Sequence, residues 1–210
     1  MILSEMRTLV RRDLHDEDAA NYRWSNDEID RHIAHALSDF SEAIPVQQKA
    51  TIATVADSRE IDISAVTDRI RVDAVEYPIN HFPHRYQRYS LWSDIVTILG
   101  DEIPDGSNCY IYYSKLHTLD ASTSTIPARH EDLVTIGACG YAAIEWAAYS
   151  VNRVNVGGKF TPADFIAWGK ERLYQFKAEL KRLSQNNKVT MHSLYRPYYS
   201  SFSRTTDFGP

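Results

Sequence analysis

Between residues 50 and 115 the sequence changes its period, and this switch limits the folds open to it. On either side, apolar residues recur three and four apart, the repeat of a helix face. Inside, short β-branched and aromatic runs alternate with polar residues, the repeat of a half-buried strand. These runs are "ATIATV", "EIDIS", "RIRVDAVEYP", "YSLW", "DIVTILG" and "CYIYYS". Turn signals separate them at Asp57-Ser58, Pro78, Pro83, Gly100-Asp101 and Pro104-Asp105-Gly106. A chain that is helical, then β, then helical again is an α+β protein, mainly α. The expected architecture is a bundle of about four helices with an inserted small antiparallel β-sheet of about five or six strands, and an extended C-terminal arm.

The stretch "YRWSNDEIDRHIAHALSDFSEAIP", residues 22–45, is the best-punctuated helix. Ser25 occupies an N-cap position and Glu28 follows three residues later, the spacing of a capping box. Asp27 and Glu28 suit the positive end of the helix dipole. Ile29, Ile33, Ala36, Leu37, Phe40 and Ile44 make one apolar stripe, and Pro45 ends it. Residues 2–13 predict a shorter helix with Leu3, Met6 and Val10 on one face.

Two long helices are expected after the β segment. Residues 128–151 carry Gly137, Ala138, Gly140, Ala142, Ala143, Ala147 and Ala148, small enough for close helix contact. The next helix opens at Thr161-Pro162, with Pro at the first helical position. Its seam is Ile166, Gly169, Leu173, Phe176, Leu180 and Leu183. The short connection "NRVNVGGKF" predicts an antiparallel hairpin. The domain reading is therefore a helical bundle from 1–48 plus 128–184, a β-rich insertion at 49–127, and an extended arm at 185–210.

Composition removes several functions. Of 210 residues, 43% are hydrophobic and 24% charged, the balance of a folded domain. The net charge of −5 opposes nucleic-acid binding by phosphate neutralisation. Cys109 and Cys139 lack a CxxC partner, which fits a reducing compartment. Cys139 reads as a core thiol among alanines. The N-terminal residues lack the apolar core and cleavage site of a signal peptide. The most apolar run, 133–151, contains Glu145 and reads as a buried core helix, not a membrane span.

Candidate chemistry is sparse. His32 and His35, with Asp39 four residues on, would share a helix face and give a geometrically possible metal site. The HExxH glutamate is absent, so surface or interface histidines are the preferred reading, with His32 and His35 on the polar face of the helix. His81 and His84 repeat the spacing in a loop around Phe82-Pro83. No GxSxG elbow is present, and Gly157-Gly158-Lys159 is not a P-loop. Tyr110, Tyr112 and Tyr113 are expected to pack in the sheet; stacking on bases is the alternative. No cofactor and no catalytic residue is assigned. The final residues, with Tyr195, Arg196, Tyr198, Tyr199, Phe202 and Phe208, are too aromatic for an ordinary disordered tail. Tyr and Arg are the residues of interface hot spots, so this arm is the expected segment for binding a neighbouring subunit or partner; an arm folded back onto its own domain is the alternative.

The ordered set of motifs resembles the head–tail adaptor, or connector, proteins of tailed bacteriophages. "LVRRDLHDEDAANYRWSNDEIDRHIAHALSDFSEAIP" resembles that family's opening: a short helix, an Arg-Asp-Leu-x-Asp element and a Trp-Ser cap before an amphipathic helix. "RVDAVEYP" and "YIYYSKLHTLD" resemble the β insertion of longer members. "TIPARHEDLVTIGACGYAAIEWA" and "FIAWGKERLYQFKAEL" resemble the third and final helices. The likeness spans roughly residues 5–184; the aromatic tail has no counterpart. It implies a non-enzymatic virion protein at the head–tail interface, present in host cytoplasm during assembly. Its expected partners are the portal protein, a neck or tail completion protein, and further copies of itself in a ring, usually twelvefold. The ring would extend the DNA channel, with double-stranded DNA passing through unbound. Two other classes stay open on residues alone: a metal-dependent enzyme using His32, His35 and Asp39, and a single-stranded nucleic-acid-binding protein.

Overall fold

The computed structural model describes residues 1–150 and 162–194, with side chains through Tyr149 and from Pro162 to Asn187. The fold is α+β, with more helix than strand. It divides into a helical unit, Met1–Val46 with Leu116–Asn187, and a β unit built on Gln47–Lys115.

The helical unit holds α1 (Leu3–Asp13), α2 (Asn26–Ala43), α3 (Glu131–Ser150) and α4 (Pro162–Leu194) as far as Asn187. A single 3-10 turn, Ala128–His130, leads into α3. Both arms of the expected capping box form at α2: Glu28 N donates to Ser25 Oγ at 3.2 Å, and Ser25 N donates to Glu28 Oε2 at 2.6 Å. Two backbone donors that a helix start leaves unpaired are thereby satisfied. Ile44 closes the helix with its N–H on Phe40 O, and Pro45 prevents another turn. The apolar stripe of α2 joins Met6, Val10 and Leu14 from α1 and its exit, and Val134, Ala138 and Ala142 from α3, in one core.

Between α3 and α4 the small residues have a specific use. A Cβ on Gly140 would lie 2.8 Å from Leu173 Cγ, and one on Gly169 would lie 3.1 Å from Gly140 O. Gly137 faces the Phe176 ring in the same way, so rising positions in α3 meet falling positions in α4. The two helices are antiparallel, as their short connection predicts. α4 continues to Leu194, past residue 185, where the sequence reading begins the arm. No Gly or Pro interrupts residues 185–194, so nothing there stops the helix.

Among the described residues there are seven strands: β1 (Val46–Ala53), β2 (Glu60–Asp62), β3 (Arg69–Glu76), β4 (Tyr86–Gln87), β5 (Tyr89–Trp92), β6 (Ile95–Ile98) and β7 (Asn108–Lys115). They form two sheets, in the orders β1-β7-β3-β4 and β2-β6-β5. One expected sheet is thus two, and the two-residue β4 has no periodic signal of its own. The pairs β3–β7, β3–β4, β5–β6 and β2–β6 are antiparallel. Ile61, Ile63, Val72, Val75, Val96, Ile98, Cys109 and Ile111 form the core they share.

Polar groups are fixed within this unit as well. Glu76 is 0% exposed, accepts from Tyr112 Oη at 2.6 Å, and lies 2.9 Å from His84 Nδ1. Tyr77 Oη donates to Asp105 Oδ1 at 2.8 Å, which helps hold the Asp105 carboxyl down at about 2, after the larger effect of Ser107. Gly106 in that turn has φ +91°, a conformation other residues rarely adopt.

Candidate functional site

The most elaborately built feature of the helical unit is the turn from α1 to α2. The Arg11 guanidinium is buried there. Its Nη1 donates to Asp16 Oδ2 at 2.5 Å, and its Nη2 donates to Trp24 O at 2.9 Å and Asn26 Oδ1 at 3.0 Å. The Tyr22 ring lies 3.6 Å from the guanidinium carbon. Asp16 also accepts from Arg23 N at 2.7 Å. Buried charges are tolerated only when paired and fully hydrogen-bonded, and here four groups complete the pairing. The sequence reading selected the Arg-Asp-Leu-x-Asp run but not this pair: Arg11, one residue before the motif, reaches its last Asp.

This lock fixes one wall of a cleft. Asn21, Tyr22, Arg23 and Trp24 form that wall, with Glu28 from α2, and Glu145, Trp146 and Tyr149 from α3 opposite. The cleft has a volume of about 570 Å³. Trp24 is 2% exposed, and its ring centroid lies 5.3 Å from that of Trp146. Trp146 in turn lies 5.5 Å from Tyr149. The indole Nε1–H of Trp24 is buried and has no hydrogen-bond partner among the described residues. Arg23 extends over the Phe165 ring of α4, at 6.0 Å. The result is a cleft lined by aromatic rings and carboxylates, with the Trp24 indole sealed beneath it. Sequence reasoning did not assemble it. One signal was present: Trp24, just before the Ser25 cap, and Ile29, four residues into the helix, occupy the positions of a hydrophobic staple.

Glu145 ties the cleft to α2. It accepts from Arg31 Nη2, and its Oε2 lies 2.5 Å from His32 Nε2. Arg31 foremost holds the Glu145 carboxyl below its ordinary range. Burial foremost lowers the His32 pKa, although Glu145 opposes that effect.

The expectation that His32 lies on the polar face of its helix is corrected: it is 4% exposed, because the margin of the α2 stripe turns toward α3. His35 is exposed and stacks on Tyr141 with centroids 3.9 Å apart. Asp39 accepts from Tyr141 Oη at 2.5 Å. His32 therefore turns to Glu145, while His35 and Asp39 engage the ring and the hydroxyl of Tyr141. Among the described residues, no group of three or more His, Cys, Asp or Glu side chains could hold a metal ion. His84 is directed to Glu76, and His81 is exposed.

Cys139 is buried and its thiol is pushed up to about 12; burial likewise raises Cys109 to about 11. Neither is a ready nucleophile. Tyr112 and Tyr113 spend their hydroxyls on Glu76 and Gln48, and Tyr110 lies under Lys49 at 3.9 Å. No helix among the described residues is long and apolar enough to cross a membrane. Gly157-Gly158-Lys159 and the tail residues Tyr195, Arg196, Tyr198, Tyr199, Phe202 and Phe208 lie outside the described residues.

Compared with family models and with curated proteins, the chain matches none. Among solved structures it aligns with a chain of the neck of an empty GTA particle computed with C6 symmetry, at 13% identity over 80% of this chain and 88% of that one. The TM-score of that alignment is 0.28, below the range in which two chains share a fold.

Proposed function

We propose that this chain is a structural, non-enzymatic protein of the neck of a phage-like particle, an adaptor that assembles as a ring beneath the portal. The ring extends the DNA channel and presents a platform to the next neck or tail protein. One observation carries the reading. The element that resembles the adaptor family's opening, from "LVRRDL" through "WSNDE", is a built structure, with Arg11 and Asp16 locking the turn, Trp24 buried behind it, and Ser25 and Glu28 capping α2. A turn secured this thoroughly presents its outer face at a fixed angle, which a ring subunit requires of its contact surfaces.

Two further features fit. The net charge of −5 suits a channel wall, since like charge repels phosphate and lets DNA slide. The aromatic tail, with Tyr195, Arg196, Tyr198, Tyr199, Phe202 and Phe208, has hot-spot composition and serves as the arm toward a neighbouring subunit or the portal.

Light scattering tests the proposal directly. Full-length protein is measured alone and then mixed with a candidate portal ring, beside a version ending at Leu194, the last residue of α4. The expected result is a large complex that forms with the full chain and fails without the tail. A chain that stays monomeric with every portal tried would overturn the adaptor reading.

A further inference from the structure

We infer that one strip of α4, formed by Lys170, Tyr174, Lys177 and Lys181, docks on the acidic outer face of α2 in the next copy. This inference rests on the ring assembly proposed above and names the contact between its subunits.

The first observation is an unpaired row of charge. Positions 170, 174, 177 and 181 are spaced four, three and four apart, so they share one strip of the helix, about 16 Å long at about 1.5 Å per residue. All four residues are exposed, Tyr174 at 72%. Among the described residues, none of the four side chains has a hydrogen bond, ion pair or ring contact. Elsewhere the same helix pairs its polar groups: Arg182 Nε donates to Glu179 Oε2 at 2.8 Å, and Gln175 Nε2 donates to Glu171 Oε1 at 3.0 Å. Lys177 and Lys181, one turn apart, repel each other, and an anionic surface laid against them would remove that cost.

The second observation is charge complementarity. α4 carries six lysines and arginines against three carboxylates, in a chain whose net charge is −5. α2 has the opposite balance, with Asp27, Glu28, Asp30, Asp39 and Glu42 against the single guanidinium of Arg31. Its outer strip is Asp27, Arg31, Ala34, Ser38 and Glu42, all exposed. Arg31 is paired with Glu145, and Arg7, near Asp27, is paired with Asp30. Asp27 in the first turn and Glu42 in the last therefore face solvent across a low stretch at Ala34 and Ser38. Lys170 and Tyr174 are four apart, as are Glu42 and Ser38. With the two helices antiparallel, Lys170 on Glu42 sets Tyr174 over Ser38 and brings Lys181 within one turn of Asp27, the reach of a lysine stem. A DNA backbone would satisfy the lysines alone, whereas an exposed tyrosine among them is the residue type that anchors a protein contact.

The third observation is symmetry. Both strips are exposed in the chain itself, so they do not meet within one copy. A ridge on α4 and a seat on α2 are different surfaces. Contact between copies is then head-to-tail, the type that generates rings.

The test is a charge swap in the full-length chain. One variant is Lys177→Glu with Lys181→Glu; the other is Asp27→Lys with Glu42→Lys. Light scattering follows wild type, each variant and their equal mixture, with and without a portal ring, and circular dichroism checks that each remains helical. Wild type is expected to assemble and to dissociate when salt is raised to about 0.5 M. Each variant alone is expected to assemble at least about tenfold more weakly, because like charges then meet. The mixture should regain assembly, since each reversed ridge finds a reversed seat. Tyr174→Ala, which changes no charge, should weaken assembly several-fold. Either charge variant assembling like wild type, a mixture no better than its components, an unchanged Tyr174→Ala, or a wild type that never self-associates would overturn the inference. So would a ridge variant that loses binding to a short DNA duplex while its self-association is unchanged. The portal arm separates the two readings. Charge-swapped assembly without portal binding keeps this contact and removes the neck role. Portal binding with self-association indifferent to the swaps keeps the neck role and removes this contact.

Discussion

The helical unit and the β unit solve the packing problem in opposite ways. In the helical unit, α3 and α4 approach until glycine is the largest residue that fits, at Gly140 and Gly169. Its buried charge, Arg11 with Asp16, sits in a turn and fixes the direction of the chain between two helices. In the β unit the core is filled by branched aliphatic side chains, and its buried carboxylate, Glu76, sits on a strand and takes a tyrosine hydroxyl. Helices in contact are limited by backbone separation, so their sequence signal is small residues. Sheets are limited by side-chain volume, so theirs is Ile and Val. The functional consequence is that the helical unit has one strongly built turn and a cleft beside it, whereas the polar groups of the β unit are turned to holding strands together.

The sharpest way to break the contrast is Asp16→Ala. It leaves the Arg11 guanidinium buried without its carboxylate and frees Arg23 N and Trp24 N. The expected cost is about 3–5 kcal/mol, read as an earlier urea midpoint. Amide exchange should accelerate in α1 and α2 first. Faster exchange confined to the β strands would mean that the turn does not govern the helical unit.

Ile111→Ala is the matching change in the β unit. Ile111 is fully buried in β7, and truncation there is expected to cost about 2–5 kcal/mol. Its first effect should fall on exchange in β3 and β7. Gly140→Ala is a subtler probe. The added methyl would come within 2.8 Å of Leu173 Cγ, and the expected loss is about 1–3 kcal/mol. A neutral or stabilising result would show that α3 and α4 can separate without cost.

The smallest expected effect is that of acid. His32, His117 and His130 are buried in the helical unit, and burial foremost lowers the pKa of each. The unfolded chain takes up these protons near the ordinary value of 6.5, while the folded chain resists them. Stability contributed this way is present above pH 6.5 and is lost as pH falls below it. Lowering the pH from 7 to 5 should therefore lower the urea midpoint of the helical unit. His117 is one source: burial lowers its pKa, although the contacts of its ring nitrogens with Ile44 O and Thr125 O oppose that effect. His117→Gln should reduce the pH dependence; an unchanged slope would assign it elsewhere.

Much of the fold was legible because it depends on local rules. Ser25, Glu28 and Pro45 mark the ends of α2, since capping and proline sterics act within a few residues. Gly137 and Gly140 announced close helices. The alternation in "RVDAV" and "YIYYS" marked strands. The division of those strands into two sheets was not legible, because pairing joins residues far apart in sequence. β4 escaped for the same reason: two residues carry no period, and only their pairing with Val75 and Glu76 defines them.

The candidate site was less legible than the fold. His32, His35 and Asp39 share a helix face by spacing, yet neighbours from α3 decide what each one does. Glu145 draws His32 inward, and Tyr141 takes both His35 and Asp39. The cleft joins residues 21–28 to residues 145–149.

The sequence by itself determined where α2 starts and stops, which segment is β, and the overall acidity, since these follow from local sterics, hydrogen bonding and composition. Tertiary structure alone decided that Arg11 pairs with Asp16, that His32 is buried, and that Trp24 and Trp146 share a cleft. Those outcomes depend on which elements pack together, and contacts of that kind are set by the whole core rather than by any local run of residues.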